Sequence, residues 1–261
     1  TLKSAMHHHG ALIVRNMYTS HQASAFREEI DAVMAAEQAY IEATKNGGKD
    51  ERPAESKAAF SPIPGDIMED SIAARAFLSM SGAVGTFQSP RVLHLLLERF
   101  EASGMRGLLQ DYFEDEPCLS FNKSVLRRVE PLPHKAEWHQ DGAFMTPGID
   151  SLNLWVALTD CGAGTKSPGM DFVPKRLTGI VPPGGNGAAF NWSISNKTVL
   201  EDFAHLKIAQ PYFGTGDAVF FDHFNLHATS SGSQFTEPRY AIETWFFSKT
   251  RCALNQIPAI W

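Results

Sequence analysis

The stretch EWHQDGAF, Glu137 to Phe144, sets His139 and Asp141 two residues apart. On an extended strand such residues share a face, so both side chains can reach one metal ion. Further on, GTGDAVFFDHFNLHATSSG places turn residues (Gly214, Gly216, Asp217), an apolar strand from Ala218 to Phe221, and then a loop carrying His223 and His227. Two imidazoles and one carboxylate occupy one face of an octahedral ion and leave the other positions open, which is the arrangement of non-haem Fe(II) oxygenases. Spacing from the GDAVFF strand favours His227 over His223 as the second imidazole. Arg239 opens the strand RYAIETWFF, 12 residues after His227. A guanidinium can hold a carboxylate through two parallel hydrogen bonds, which an ammonium cannot. Buried among apolar neighbours it needs an anion, either an organic co-substrate or a neighbour such as Glu237 or Glu243.

The elements that must carry these residues fall into two blocks. TSHQASAFREEIDAVMAAEQAYIEATKNGG has capping-box spacing at Thr19 and Gln22 and apolar residues at Phe26, Ile30, Val33, Met34 and Tyr40, so it predicts a long helix ended by Gly47-Gly48. Two more helices are expected. One lies over Asp66 to Met80; the other follows Ser89, with Ser89 as cap, Pro90 at the first position and Gly104 as the stop. The charged and proline-rich KDERPAESKAAFSPIPG reads as a loop. From about residue 118 short apolar stretches alternate with Gly, Pro and Asp: CLSFNKSVLRRV, SLNLWVALTD, MDFVP, GDAVFFD and RYAIETWFF. That pattern predicts an antiparallel sandwich or barrel. The expected organisation is one domain over 1–261, with residues 1–117 a largely helical support layer and about 118–250 the β core. VPPGGNG is expected as a surface loop within that core.

Composition narrows the function. A net charge of −6, with basic residues scattered, argues against nucleic acid and anionic lipid as partners. No apolar run approaches a membrane span, and the opening residues lack the pattern of a signal peptide. Three cysteines (Cys118, Cys161, Cys252) without C-x-x-C spacing suggest a reducing, cytoplasmic setting. Cys161 has no evident base beside it and is expected to be a structural thiol. Adjacent side chains point different ways, so His7-His8-His9 is assigned no chemistry. There is no G-x-S-x-G elbow and no phosphate-loop spacing. The sequence carries no signal of oligomeric state.

Taken together, WHQD (Trp138 to Asp141), GDAVFFDHFNLHATSSGS (Gly216 to Ser233) and Arg239 resemble the phytanoyl-CoA dioxygenase family of Fe(II)- and 2-oxoglutarate-dependent oxygenases. HHHGALIVRNMYTSHQASAFREEID resembles that family's opening, with a helix end, a glycine, an apolar strand and a long helix. DCGAGTKSPGMDFVPKRLTG resembles its mid-chain turn and strand, but PKRL (Pro174 to Leu177) stands where the family usually has Pro-Gly-Ser-His, so that loop supports no substrate inference. The resemblance covers most of the chain.

It implies a mainly β fold with flanking helices: a double-stranded β-helix (jelly-roll, cupin-like) core under an N-terminal helical layer. It implies Fe(II) on His139, Asp141 and His227, and the distal carboxylate of 2-oxoglutarate on Arg239, helped by Thr229. Asn122, on the strand before WHQD, and Trp155, on the strand after it, would line the co-substrate pocket. With O2, the implied reaction oxidises an unactivated C–H bond of a small molecule and releases succinate and CO2, with no catalytic residue beyond the metal ligands. Related halogenases have a small residue in place of the carboxylate, so Asp141 favours hydroxylation or another oxidation. Trp138, Phe144, Met145, Asn191 and Trp192 are candidates for a substrate pocket with an apolar part. No basic cluster suggests coenzyme A. Two other readings share the ligand set: a non-catalytic jelly-roll binding protein, and a cupin-type metal-dependent hydrolase or isomerase.

Overall fold

A computed structural model of the chain describes residues 1–63, 81–131 and 137–261. The helix expected over Asp66 to Met80 lies outside the described residues. Helix α1 (Leu2–His9) ends in the three exposed histidines, and Gly10 closes it in the left-handed conformation at φ 71°, its N–H donating to the Met6 carbonyl. Strand β1 (Ala11–Val14) follows, then α2 (Ser20–Thr44). The capping box forms as expected: the Gln22 N–H donates to the Thr19 hydroxyl at 3.2 Å, and the Thr19 N–H donates to Gln22 Oε1 at 2.8 Å. Phe26, Ile30 and Val33 of its apolar stripe are buried, while Met34 and Tyr40 are half-buried.

Helix α3 (Ala54–Ala59) forms inside the segment expected as a loop. Helix α4 (Pro90–Ala102) has Pro90 in its first turn, but Ser89 makes no capping bond and its hydroxyl is buried without a partner. Gly104, at φ 67°, separates α4 from α5 (Met105–Phe113). Among the described residues, no helix is long and apolar enough to cross a membrane.

The remaining strands are β2 (Ala83–Gly85), β3 (Pro117–Ser120), β4 (Val125–Val129), β5 (Ser151–Ala157), β6 (Cys161–Gly162), β7 (Met170–Phe172), β8 (Tyr212–Phe213), β9 (Ala218–Asp222), β10 (His227–Thr229), β11 (Arg239–Ser248) and β12 (Pro258–Ala259). The large antiparallel sheet runs β1-β9-β5-β11-β3-β12. The ten-residue β11 pairs β4 along its first half and β3 along its second, and β4 also pairs β2. Two small sheets, β7 with β10 and β6 with β8, complete the β layer.

Side chains alternate across a sheet with period two, and here the alternation divides the labour. Leu152, Leu154 and Val156 of β5, Phe220 of β9, and Ile242 and Phe246 of β11 pack against Phe26, Ile30, Leu96, Phe100 and Leu109 of the helices. Full burial of each large apolar side chain contributes about 1.5–3 kcal/mol, so this face holds the helical layer on. The opposite face carries Trp155, Val219, Phe221 and Ala241, which pack against Cys161, Met170, Phe172 and Phe213 of the small sheets. The site lies on this second face. Short α6 (Asn196–Asp202) sits in the connection between β7 and β8, and VPPGGNG in the same connection is largely exposed, as expected.

Candidate active site

His139 and His227 meet across one antiparallel bridge. The His139 N–H donates to the His227 carbonyl at 2.9 Å, and the His227 N–H donates back at 3.1 Å. The expected continuous strand from His139 to Asp141 is not what forms, because Asp141 begins a short 3-10 helix (Asp141–Phe144) and reaches the site by that turn. His227 likewise begins β10 and does not lie in a loop. One candidate ligand atom from each of His139, Asp141 and His227 lies within 4.8 Å of the others. His223 is outside this group. Its carbonyl accepts the Gly142 N–H at 2.9 Å, which holds its backbone on the far side of the Asp141 turn.

Each imidazole is set by a backbone carbonyl. His139 Nδ1 is 3.3 Å from the Glu137 carbonyl, and His227 Nδ1 is 3.1 Å from that of Asn225. With the proton on Nδ1, each Nε2 turns its lone pair toward Asp141 Oδ1, 3.9 Å from both. Asn153 of β5 donates to Asp141 Oδ2 at 3.1 Å, which orients the carboxylate and leaves Oδ1 for a metal. Gln140 is fully buried; its amide donates to the carbonyls of Gly179 and Phe224 and accepts the Val181 N–H, so it stitches the WHQD segment to two neighbouring loops. A Cβ on Gly142 would stand 2.7 Å from Ile180 Cδ1 and 3.0 Å from the His223 carbonyl, so the turn after Asp141 needs glycine.

Removing Asn153's amide (Asn153→Ala) leaves the carboxylate free to turn. The expected loss of divalent-metal affinity is about 10–100-fold, read by titration with Co(II); unchanged affinity would show that Asn153 does not orient Asp141.

Burial governs the charge state of all three groups. It pushes His139 and His227 down to about 4, so both are neutral donors at physiological pH, and pushes Asp141 up to about 7. The metal binds the deprotonated carboxylate, so affinity is complete above the Asp141 pKa and falls as protons compete below it. Between about pH 7 and pH 4 the histidines stay neutral and one proton is displaced per ion. Co(II) affinity is therefore expected to fall about tenfold per pH unit across that window; a flat profile between pH 7 and 5 would contradict it.

Arg239 lies at the other end of the same face. It is 2 % exposed, and its guanidinium donates to the Gly169 carbonyl at 2.8 Å. Its Nε is buried without a hydrogen-bond partner, and no carboxylate forms an ion pair with it among the described residues. Glu243 is taken by Arg127 at 2.6 Å and Glu237 by Lys166 at 3.4 Å, so neither of the neighbours weighed from the sequence neutralises it. Burial lowers Arg239 to about 10, and it keeps its charge. The guanidinium stands 5.3 Å from the Trp155 ring centre, a cation–π contact. Burial would raise Glu243, but the Arg127 guanidinium overrides it and holds the carboxyl at about 2.

A cavity of 340 Å³ joins the His-Asp-His group to Arg239. Asn122, Trp155, Thr229, Phe144 and Trp192 line it. Asn122 does so from the turn between β3 and β4, since CLSFNKSVLRRV breaks into two strands there. Three expected pocket residues lie elsewhere. Trp138 is buried with Ile194, Val199 and Phe203, its indole N–H bonded to Asn196. Met145 packs beside Cys118 and Phe247, and Asn191 is exposed and not among the lining residues. For Met145 the cause is the 3-10 turn, which swings Phe144 inward and Met145 away. Burial pushes the Cys161 thiol up to about 12, consistent with a structural role.

Sequence reading missed Lys123, Arg127, Asn153 and Trp245 as site residues, and named Glu243 only as a neighbour of Arg239. A polar residue interrupting an apolar strand was the available signal: Asn153 in SLNLWVAL, and Glu243 in RYAIETWFF on the same face as Arg239.

No protein-family model matches the chain, and none of the curated proteins does. Solved structures do. The epimerase SnoN, in complex with Fe3+, alpha ketoglutarate and nogalamycin RO, superposes with TM-score 0.56 at 16% identity, covering 95% of this chain and 83% of that one. EctD from S. alaskensis, with 2-oxoglutarate and 5-hydroxyectoine, gives TM-score 0.60 at 14% identity over 96% of this chain and 76% of that one. EvdO2 from Micromonospora carbonacea var. aurantiaca gives 0.54 at 15% over 99% and 91%. The fold of this chain is therefore a cupin-type jelly roll, the double-stranded β-helix, with helices packed on its large sheet.

Proposed function

We propose that this protein is an Fe(II)- and 2-oxoglutarate-dependent dioxygenase that hydroxylates, or otherwise oxidises, an unactivated C–H bond of a small organic molecule. The observation that carries this reading is Arg239, a buried guanidinium without a carboxylate partner among the described residues, in the same cavity as a His-Asp-His group. A metal-dependent hydrolase or isomerase would need the three ligands but has no use for that cation, and a buried cation without an anion is destabilising. The donor set fits Fe(II), with two neutral imidazoles, one carboxylate and the remaining positions open. The similar structures of SnoN, solved with Fe3+ and alpha ketoglutarate, and of EctD, solved with 2-oxoglutarate, support it.

In this reading His139, Asp141 and His227 hold the metal, and Arg239 grips the distal carboxylate of 2-oxoglutarate with the Thr229 hydroxyl beside it. Trp155 backs the guanidinium, and Asn122 lines the cavity wall. With 2-oxoglutarate and O2 the metal supplies an oxidant strong enough to convert C–H to C–OH, with succinate and CO2 as co-products. The residues of this chain position the reactants: Asn153 fixes Asp141, the carbonyls of Glu137 and Asn225 fix the imidazoles, and Phe144, Phe221, Trp192 and Trp245 make an apolar wall that limits water. A cavity of 340 Å³ shared with a co-substrate leaves room for a small prime substrate. The finer assignment, to the phytanoyl-CoA dioxygenase family, rests on the order H-x-D, His and Arg in the sequence. We extend the proposal to a single oxygenase domain over 1–261 and a cytoplasmic setting.

The test is an anaerobic optical titration of metal-free protein with Fe(II) and then 2-oxoglutarate. A visible charge-transfer band that needs both additions supports the reading. Fe(II) binding without a band on adding 2-oxoglutarate sinks it.

A further inference from the structure

We infer that the prime substrate carries an anionic group, a carboxylate, received by Lys123 at the aromatic end of the cavity. This rests on the oxygenase reading of the same site. Lys123 lies in the turn between β3 and β4, and its Nζ stands 4.8 Å from the centre of the Phe144 ring and 5.7 Å from that of Trp245. Phe144 and Trp245 are themselves stacked, 5.6 Å apart at 13°. Ring faces steady an ammonium, yet they offer no lone pair to its three N–H donors. Among the described residues no carboxylate forms an ion pair with Lys123; Glu243 and Asp141 favour its charge only from longer range.

The cavity's charges make the same point. Lys123, Arg127 and Arg239 line it against Asp141 and Glu243, with the imidazoles neutral. Glu243 is satisfied by Arg127, Asn153 and the Trp245 indole N–H. Among the described residues, a divalent metal and a dianionic co-substrate cancel each other, so one positive charge remains, and Lys123 is the cation without an ion pair, since Glu243 is taken by Arg127. A cationic substrate would meet that charge with no free carboxylate among the described lining residues to receive it.

Nor does the co-substrate account for Lys123. Arg239 and Trp245 are six residues apart on β11 and face the same way, which separates their backbones by about 20 Å. A five-carbon diacid anchored on Arg239 and directed to the His-Asp-His group has its other end at the metal, not at Trp245. Lys123, over Trp245, belongs to the other end, where Phe144, Trp192 and Trp245 would flank the apolar part of the substrate.

The experiment uses 3-phenylpropanoate and hexanoate, each beside its primary amide, with 3-phenylpropylamine as the cationic control. Binding is read by saturation-transfer NMR on Zn(II)- and 2-oxoglutarate-loaded protein, in wild type and Lys123→Met. The Fe(II)/2-oxoglutarate band is recorded separately for both. The expected result is at least a tenfold preference for acid over amide, lost in Lys123→Met, whose band persists. Equal binding of acid and amide, no binding of either acid, or preference for the amine overturns the inference. So does loss of the band in Lys123→Met, which would make Lys123 a co-substrate residue. A wild type with no band, but with an acid preference that vanishes in Lys123→Met, would sink the oxygenase reading and leave the anion site standing.

Discussion

His227→Ala is expected to abolish tight divalent-metal binding, with a loss of affinity greater than about 100-fold, and to remove 2-oxoglutarate turnover with it. Residues that only orient ligands cost about 10–100-fold when changed, and His227 supplies one of three donors. Among the described residues no other candidate ligand joins the group. His223 is held beyond the Asp141 turn by its own carbonyl, which accepts the Gly142 N–H. His223→Ala is therefore the control: it should keep metal affinity within a few-fold of wild type. Co(II) titration of both variants checks this, because the loss should follow His227 alone. If His223→Ala loses the metal and His227→Ala keeps it, the ligand assignment is wrong.

The second large effect is at Arg239. Truncating one partner of a buried, hydrogen-bonded charge pair costs about 2–5 kcal/mol, so Arg239→Met should weaken 2-oxoglutarate by at least about 30-fold at 1.4 kcal/mol per decade. Arg239→Lys should recover only part of this, because an ammonium offers a point charge in place of a planar fork. Without co-substrate the sign differs. A buried cation with an unpartnered Nε destabilises the metal-free protein, so Arg239→Met should melt at the same temperature as wild type or higher. The stabilisation that 2-oxoglutarate gives the metal-loaded wild type should vanish in the variant. Thermal melts with and without 2-oxoglutarate read both effects. A variant that is unfolded without ligand, or that keeps the wild-type response to 2-oxoglutarate, would make Arg239 a structural residue.

Much of this architecture is legible locally. The capping box at Thr19, the glycine after the triple histidine, Pro90 in the first turn of a helix and the period-two strands β5, β9 and β11 all depend on neighbours within a few residues. Readings that failed did so where burial or a distant group intervened. Ser89 is placed to cap α4, yet its hydroxyl is buried and unbonded. Asp141 leaves the strand because the Gly142 N–H finds the His223 carbonyl, and that turn then sends Phe144 into the cavity and Met145 out of it.

The sequence by itself determined the chemistry available: two imidazoles, a carboxylate and a guanidinium in a fixed order, with helices ahead of strands. Those are properties of residue type and short-range spacing, which the unfolded chain already holds. Only the tertiary structure decided that His139 and His227 are bridged, that Asn153 turns Asp141, and that Glu243 goes to Arg127 and, among the described residues, leaves Arg239 and Lys123 without an ion-paired carboxylate. Those outcomes depend on which strands lie side by side, and β4, β5 and β11 come from segments about 25 to 115 residues apart in the chain. Pairing at such separations is set by the packing of the whole sheet against its helices, for which no short window of sequence holds the terms.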